Sequence, residues 1–363
     1  MSTIRYGLIG AGMMGQEHVR NIELLDGAKV VAIADPDEGM RRASMKLSGC
    51  GARGFTDHKE MLSADICDVY LIAAPNDLHY ELVGDVLSAN KPVLCEKPLC
   101  TTVQHCRDIL SKAANAAPLW VAMEYRYMPP VQRLLDELRN GTAGKAKMMS
   151  IREHRFPFLD KVGDWNRFNA RTGGTLVEKC CHFWDLMRLV LQSDPVRVFA
   201  SAGVDANHLD ECYDGAVPDI IDNAFVIVDF ASGARGMLDL CMFADGSHWQ
   251  EVISVTGLKA RIDACIPGPA RFSPDGRERT SHLVISDRKT KTVTCTLVEV
   301  DHTILAAGDH HGSTFFQHQR FLEMVRNGGE PEVTLKDGLW SVIVGEAAER
   351  SASTGQSIEL DGV

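Results

Sequence analysis

The feature that most constrains this chain is a glycine-spaced turn, Gly10-Ala11-Gly12-Met13-Met14-Gly15, between the apolar run Ile4–Ile9 and a helical pattern over 12–25. A second apolar run, 29–34, ends at Asp35, 20 residues after Gly15. Each residue type has a physical reason. Gly10 allows the tight turn, Gly12 lets backbone approach a pyrophosphate, and Gly15 lets helix and strand pack closely. The helix N-terminus offers partial positive charge to phosphates. An acid at the second strand end accepts from ribose hydroxyls and repels a 2′-phosphate. The pattern predicts a dinucleotide site, with NAD favoured over NADP. Arg41-Arg42, in the helix that follows, reads as a solvated face.

Strand and helix signals alternate through the first 123 residues, with further strands at 69–74, 92–95 and 119–123. Such alternation predicts βαβ units and a doubly wound parallel sheet. After Tyr127 the texture changes. Strand-like runs at 196–202, 223–230, 234–243, 250–256, 259–264, 282–286 and 292–300 follow one another, joined by turns such as 274–276. Runs of strands without helices between them predict a large open, mostly antiparallel sheet in an α+β domain. At 363 residues the chain exceeds what a single core comfortably supports. Two domains are expected, 1–123 for the dinucleotide and 124–363 for substrate and oligomerisation.

The formal charge of −11 argues against nucleic-acid and anionic-membrane partners, which reward basic surfaces. Eleven cysteines, an odd number with no C-x-x-C pair, suit a reduced compartment better than a disulfide framework. No apolar run approaches the ~18 residues of a membrane span, so a cytoplasmic protein is expected. Cys180-Cys181 reads as small apolar filling rather than a thiol pair.

Three further motifs occur in series: Ala73-Ala74-Pro75-Asn76-Asp77-Leu78-His79, then Cys95-Glu96-Lys97-Pro98, then Gly173-Gly174 leading to Glu178, His182 and Asp185. Together with the glycine turn they resemble the glucose–fructose oxidoreductase/inositol dehydrogenase (Gfo/Idh/MocA) family along the whole chain. That resemblance implies a Rossmann domain joined to an open-sheet domain that commonly forms the subunit interface, hence a homodimer or homotetramer. It implies Lys97 beside the nicotinamide, with His182 and Glu178 completing a catalytic group. Glutamate stands here where aspartate is common. Ala74, Pro75, Asn76, His79 and Glu96 are placed along the cofactor by the same resemblance. Arg126 and Trp165 are expected to reach the cleft, touching cofactor and substrate.

The residues can also be read by themselves. Lys97 follows a strand at its carboxyl end, where doubly wound folds bind ligands, and a cis bond to Pro98 suits a tight turn. Glu178, His182 and Asp185 are spaced i, i+4, i+7, which puts all three on one face of a single helix over 176–191. Spacing alone favours a solvated face; the resemblance favours a catalytic one, with Asp185 as a substrate ligand. His310-His311 lacks companions at metal-ligand spacing, so no metal is expected and His311 is assigned to substrate hydroxyls.

These readings predict an NAD-dependent oxidoreductase acting on a secondary hydroxyl of a sugar, sugar acid or cyclitol. His182 is the general base, and Lys97 steadies the oxygen. The alternatives are an NAD-dependent glycosidase of the same fold and a non-enzymatic sugar-sensing regulator.

Overall fold

The computed structural model describes residues 3–49, 51–273 and 275–360; Pro274 of the expected 274–276 turn lies outside them. The first sheet contains β1 (Ile4–Ile9), β2 (Ala28–Ala34), β3 (Arg53–Phe55), β4 (Val69–Ile72), β5 (Val93–Cys95) and β6 (Leu119–Val121). All neighbours are parallel, in the order β3-β2-β1-β4-β5-β6. Side chains of β4, β5 and β6 are buried throughout, as a sheet covered on both faces requires. The sequence reading missed β3. Three residues, Arg-Gly-Phe, are too short to show a period.

The second sheet is built from β7 (Ala146–His154), β8 (Pro195–Gly203), β9 (Asn223–Phe230), β10 (Arg235–Cys241), β11 (Glu251–Gly257), β12 (Ala260–Ile266), β13 (Ser281–Asp287), β14 (Val293–Val298) and β15 (Ile358–Glu359). Their order is β14-β13-β12-β11-β7-β10-β9-β8-β15. Every pairing is antiparallel except β7 with β10. Burial alternates strictly along β9 and β10. The inward face packs under the helices Cys181–Leu191 and Leu335–Thr354. The outward face carries Phe199, Phe225, Ile227 and Met237, all exposed.

The two sheets have separate cores, but the chain's last segments serve both. Helix Ser313–Asn327 contributes Phe321 and Leu322 to the first core. Helix Leu335–Thr354 gives Leu339, Trp340 and Val342 to the first core and Val344, Ala347 and Ala348 to the second. The Val121 amide donates to the carbonyl of Val333 (3.2 Å). The C-terminal segments therefore bind the Rossmann sheet to the rest of the molecule. Among the described residues no helix is long and apolar enough to cross a membrane.

Candidate active site

A cavity of about 880 Å³ runs from the glycine turn to the start of the helix Cys181–Leu191. At its Rossmann end Gly10 has φ +93°, and a Cβ there would lie 2.6 Å from the Ala73 carbonyl oxygen and the Ala74 nitrogen. Only glycine takes this position without strain. A Cβ on Gly12 would meet nothing within 4 Å, so this backbone borders open space. Gly15 does not line the cavity; a Cβ there would strike the Gly10 carbonyl oxygen at 2.2 Å. Its role is helix-to-strand packing, as the spacing predicts, and not direct contact with a cofactor. Met13 and Met14 line the cavity at the first helical turn.

Asp35 projects into the cavity from the end of β2. Its carboxylate accepts from the Ala11 amide (2.7 Å) and the Asp37 amide (2.8 Å). Each oxygen keeps acceptor capacity for a hydroxyl, and the fixed negative charge opposes a phosphate there. Arg41 donates to the Asp35 carbonyl (2.5 Å), so it is tied to this loop rather than wholly solvated. Ala74, Pro75 and Asn76 line the middle of the cavity. His79 does not. It is buried beneath them, its ring nitrogens 2.7 Å from the Pro98 carbonyl oxygen and 3.0 Å from that of Ala74. It braces two loops instead of meeting a ligand.

At the far end Lys97, Glu178 and His182 converge. The Lys97–Pro98 bond is cis. The expected single helix over 176–191 is interrupted: Thr175–Glu178 forms one turn and the helix proper begins at Cys181. The break frees the Glu178 carbonyl, which accepts from Lys97 Nζ at 3.1 Å. The Glu178 carboxylate holds the same ammonium at 3.3 Å. Burial alone would raise the Glu178 carboxyl, but Lys97, Lys161 and Lys179 hold it down at about 2. Burial opposes the Lys97 charge, and Glu178 overrides it, raising the ammonium above its ordinary range. His182 is driven the other way, well below 6.5, by burial and then by Lys97 and Lys179. A neutral imidazole beside an ammonium is thus the resting state at neutral pH.

His182 stacks on Tyr125, ring centroids 4.2 Å apart and planes at 9°. Its Nδ1 and Glu178 Oε2 are buried without hydrogen-bond partners among the described residues. Unpartnered polar atoms of this kind at a cavity wall suit a polar ligand. No local pattern marks Tyr125 in the sequence, because its place against His182 arises only from packing between distant segments.

Arg126 and Asp185 are removed from the cleft. Neither lines the cavity. They form a buried bidentate pair, Nε to Oδ2 and Nη2 to Oδ1 at 2.5 Å each, and Arg126 also donates to the Glu332 carbonyl (2.8 Å). This pair fastens the Cys181–Leu191 helix to the returning C-terminal segment. Position 185 is only about 60° from 182 around the helix; it leaves the cavity because it sits one turn deeper, where Arg126 takes its carboxylate. His311 is likewise displaced: with φ +53° it turns to Ser281 Oγ (2.6 Å), and burial takes its imidazole to about 4.

His310 lines the cavity in its place. Its Nδ1 lies 2.8 Å from Glu17 and 3.6 Å from Glu124. Thr314 Oγ1 lies 2.9 Å from Glu17 and 2.7 Å from Glu124. Glu17, Glu124 and His310 present ligand atoms within 4.8 Å of one another, the spacing of a cation site. Burial alone would lower the imidazole, yet Glu124 and Glu17 push it up to about 9. A proton on His310 therefore answers both carboxylates. Glu96 lines the cavity and pairs with buried His18 (2.9 Å). Trp165 also lines the cavity, under the Lys161 ammonium.

Two family models match the chain: "Oxidoreductase family, NAD-binding Rossmann fold" over residues 4–124, and "Oxidoreductase family, C-terminal alpha/beta domain" over 136–360, both of the GFO_IDH_MocA set. The rhizopine catabolism protein MocA of Rhizobium meliloti is 30% identical over 71% of this chain and 78% of its own. Myo-inositol 2-dehydrogenase of Thermotoga maritima is 27% identical over 99% of both. A crystal structure of a probable dehydrogenase from Thermotoga maritima superposes with a TM-score of 0.77 at 25% identity, covering 98% of each chain.

Proposed function

Because the chain belongs to the Gfo/Idh/MocA oxidoreductase family, we propose that it transfers hydride between NAD and a secondary hydroxyl of a sugar, sugar acid or cyclitol. The observation that carries this reading is the convergence of Lys97 from the Rossmann sheet and His182 from the second domain on one cavity. NAD when bound supplies the hydride acceptor. The glycine turn and Asp35 offer the features its pyrophosphate and ribose need.

The chain's own groups supply the remainder. The depressed pKa of His182 leaves a ring nitrogen free to take the hydroxyl proton. The Lys97 ammonium donates to the same oxygen as negative charge grows there. Glu178 is a positioning residue: its carbonyl and carboxylate both hold Lys97 Nζ, which keeps the lysine charged and aimed. Self-association through the exposed apolar face of the second sheet belongs to the same proposal, since so large an unpaired apolar surface invites a copy of itself.

The test is incubation with NAD and a panel of polyols, aldoses, aldonates and aryl glycosides, followed at the NADH absorbance and at the released aglycone. NADH formation with a polyhydroxylated substrate is expected. Aglycone release without net NADH would replace this reading with a glycosidase, and silence in both channels with a sensor.

A further inference from the structure

At the Lys97 end of the cavity wall four cations, one from the Rossmann domain and three from the second, share two carboxylates as ion-pair partners among the described residues. Lys97 and Lys161 both answer to one carboxylate, Glu178, at 3.3 Å and 4.0 Å. Lys179 and Arg155, which also line the cavity, both answer to Glu153, at 2.9 Å and 3.5 Å. Lys161 is the least satisfied of the four. Its ammonium sits over the Trp165 ring at 4.5 Å from the centroid, and Glu178, at the 4.0 Å limit, is its sole ion-pair partner among the described residues. Burial disfavours its charge, only partly offset by Glu178. Asp160 also lines this wall, but its carboxylate is taken by Arg167 at 2.7 Å.

A buried ammonium short of acceptors is costly, and a ligand carboxylate placed there removes the cost while gaining charge-assisted hydrogen bonds. Resting on the oxidoreductase reading and narrowing it, we infer that the substrate is a hydroxy acid: a polyhydroxylated carbon chain or ring whose carboxylate is held by Lys161 and Arg155. The hydroxyl to be oxidised lies at Lys97 and His182. Glu178, committed to Lys97, stands between the two ends and accepts from an intervening hydroxyl through Oε2, which has no partner of its own.

Acid and neutral partners of matched shape separate this from general sugar binding. Calorimetric titration of the NADH-loaded protein would use D-gluconate against D-glucitol, D-galactonate against galactitol, and D-glucuronate against D-glucose. At least one acid should bind about tenfold or more tightly than its neutral partner, as a charge-assisted contact predicts. Lys161→Gln and Arg155→Gln should each remove that preference by weakening the acid, leaving NADH affinity within about twofold. If all neutral members bind as well as their acids, or no acid binds, the inference is overturned. It is also overturned if Lys161→Gln weakens NADH instead, since the lysine then serves the cofactor's pyrophosphate. NADH formation from neutral polyols alone would overturn the carboxylate assignment and leave the oxidoreductase reading standing. Loss of the parent reading shows separately, as failure of every panel member to reduce NAD.

Discussion

At the residue scale, the central contrast is between two buried nitrogens pushed in opposite directions by the same surroundings. Lys97 keeps its proton because Glu178 is against it; His182 sheds its proton because Lys97 and Lys179 are near and water is not. His182→Ala and Lys97→Ala should each lower kcat by at least ~10²-fold, with NADH binding intact by fluorescence titration; near-normal turnover in either variant removes the assignment. Glu178→Gln should act through Lys97. Its expected signature is a new basic limb in the kcat/KM profile as the lysine pKa falls, which a purely structural role would not produce. Asp35 belongs to this scale too. NAD should react with the higher kcat/KM, and Asp35→Ser should narrow its lead over NADP.

At the element scale, the break between Thr175–Glu178 and Cys181–Leu191 divides the roles that spacing had joined. The first turn presents Glu178 and its free carbonyl to Lys97, the start of the helix presents His182 to the cavity, and the next turn buries Asp185 against Arg126. A strand would have separated these side chains onto two faces; a continuous helix would have withheld the carbonyl. Arg126→Ala strands a buried carboxylate, so it should cost on the order of 3–5 kcal/mol in denaturant unfolding. Bound NADH should still be detected at saturating cofactor, because neither partner lines the cavity. Loss of cofactor binding without loss of stability would return Arg126 to the site. The i, i+4, i+7 spacing was legible in the sequence. The break was not, because Lys179 and Cys180 carry no glycine or proline to announce it.

At the scale of the whole molecule, the segment around His310 lines the cavity and ties the start of the helix Ser313–Asn327 to the first Rossmann helix. Arg20 and Asn21 donate to the Ala307 carbonyl at 3.0 Å and 3.5 Å, and His310 pairs with Glu17. The imidazole is raised from 6.5 to about 9. Its contribution to stability is therefore full below pH 6.5 and lost as pH rises through about 9. Glu17 is lowered from 4.5 to about 2, so its share has the opposite sign: present above pH 4.5 and lost as pH falls toward 2. Thermal unfolding should show Tm falling between pH 6.5 and 9, and His310→Gln should flatten that fall; an unchanged slope would deny the clamp. The outward sheet face makes its own forecast. Phe225→Glu with Ile227→Glu should lower the sedimenting mass, and a wild-type monomer would defeat the self-association proposal.

What the amino-acid order determined alone is whatever depends on near neighbours. The glycine turn, the acid at the next strand end, the alternation of strand and helix and the later succession of strands are all local patterns. Backbone sterics and hydrophobic periodicity act over a few residues, so they can be read without coordinates. The tertiary structure alone decided which of two adjacent histidines faces the cavity, that Arg126 and Asp185 satisfy each other out of reach of a ligand, and that Tyr125 backs His182. It also decided that Lys161 stands beside Glu178 and that Glu17 and His310 meet across 293 positions. Those outcomes depend on desolvation and on distances of a few ångströms between groups far apart in the chain. Burial and charge pairing become defined only once the two sheets and the returning C-terminal helices are packed together.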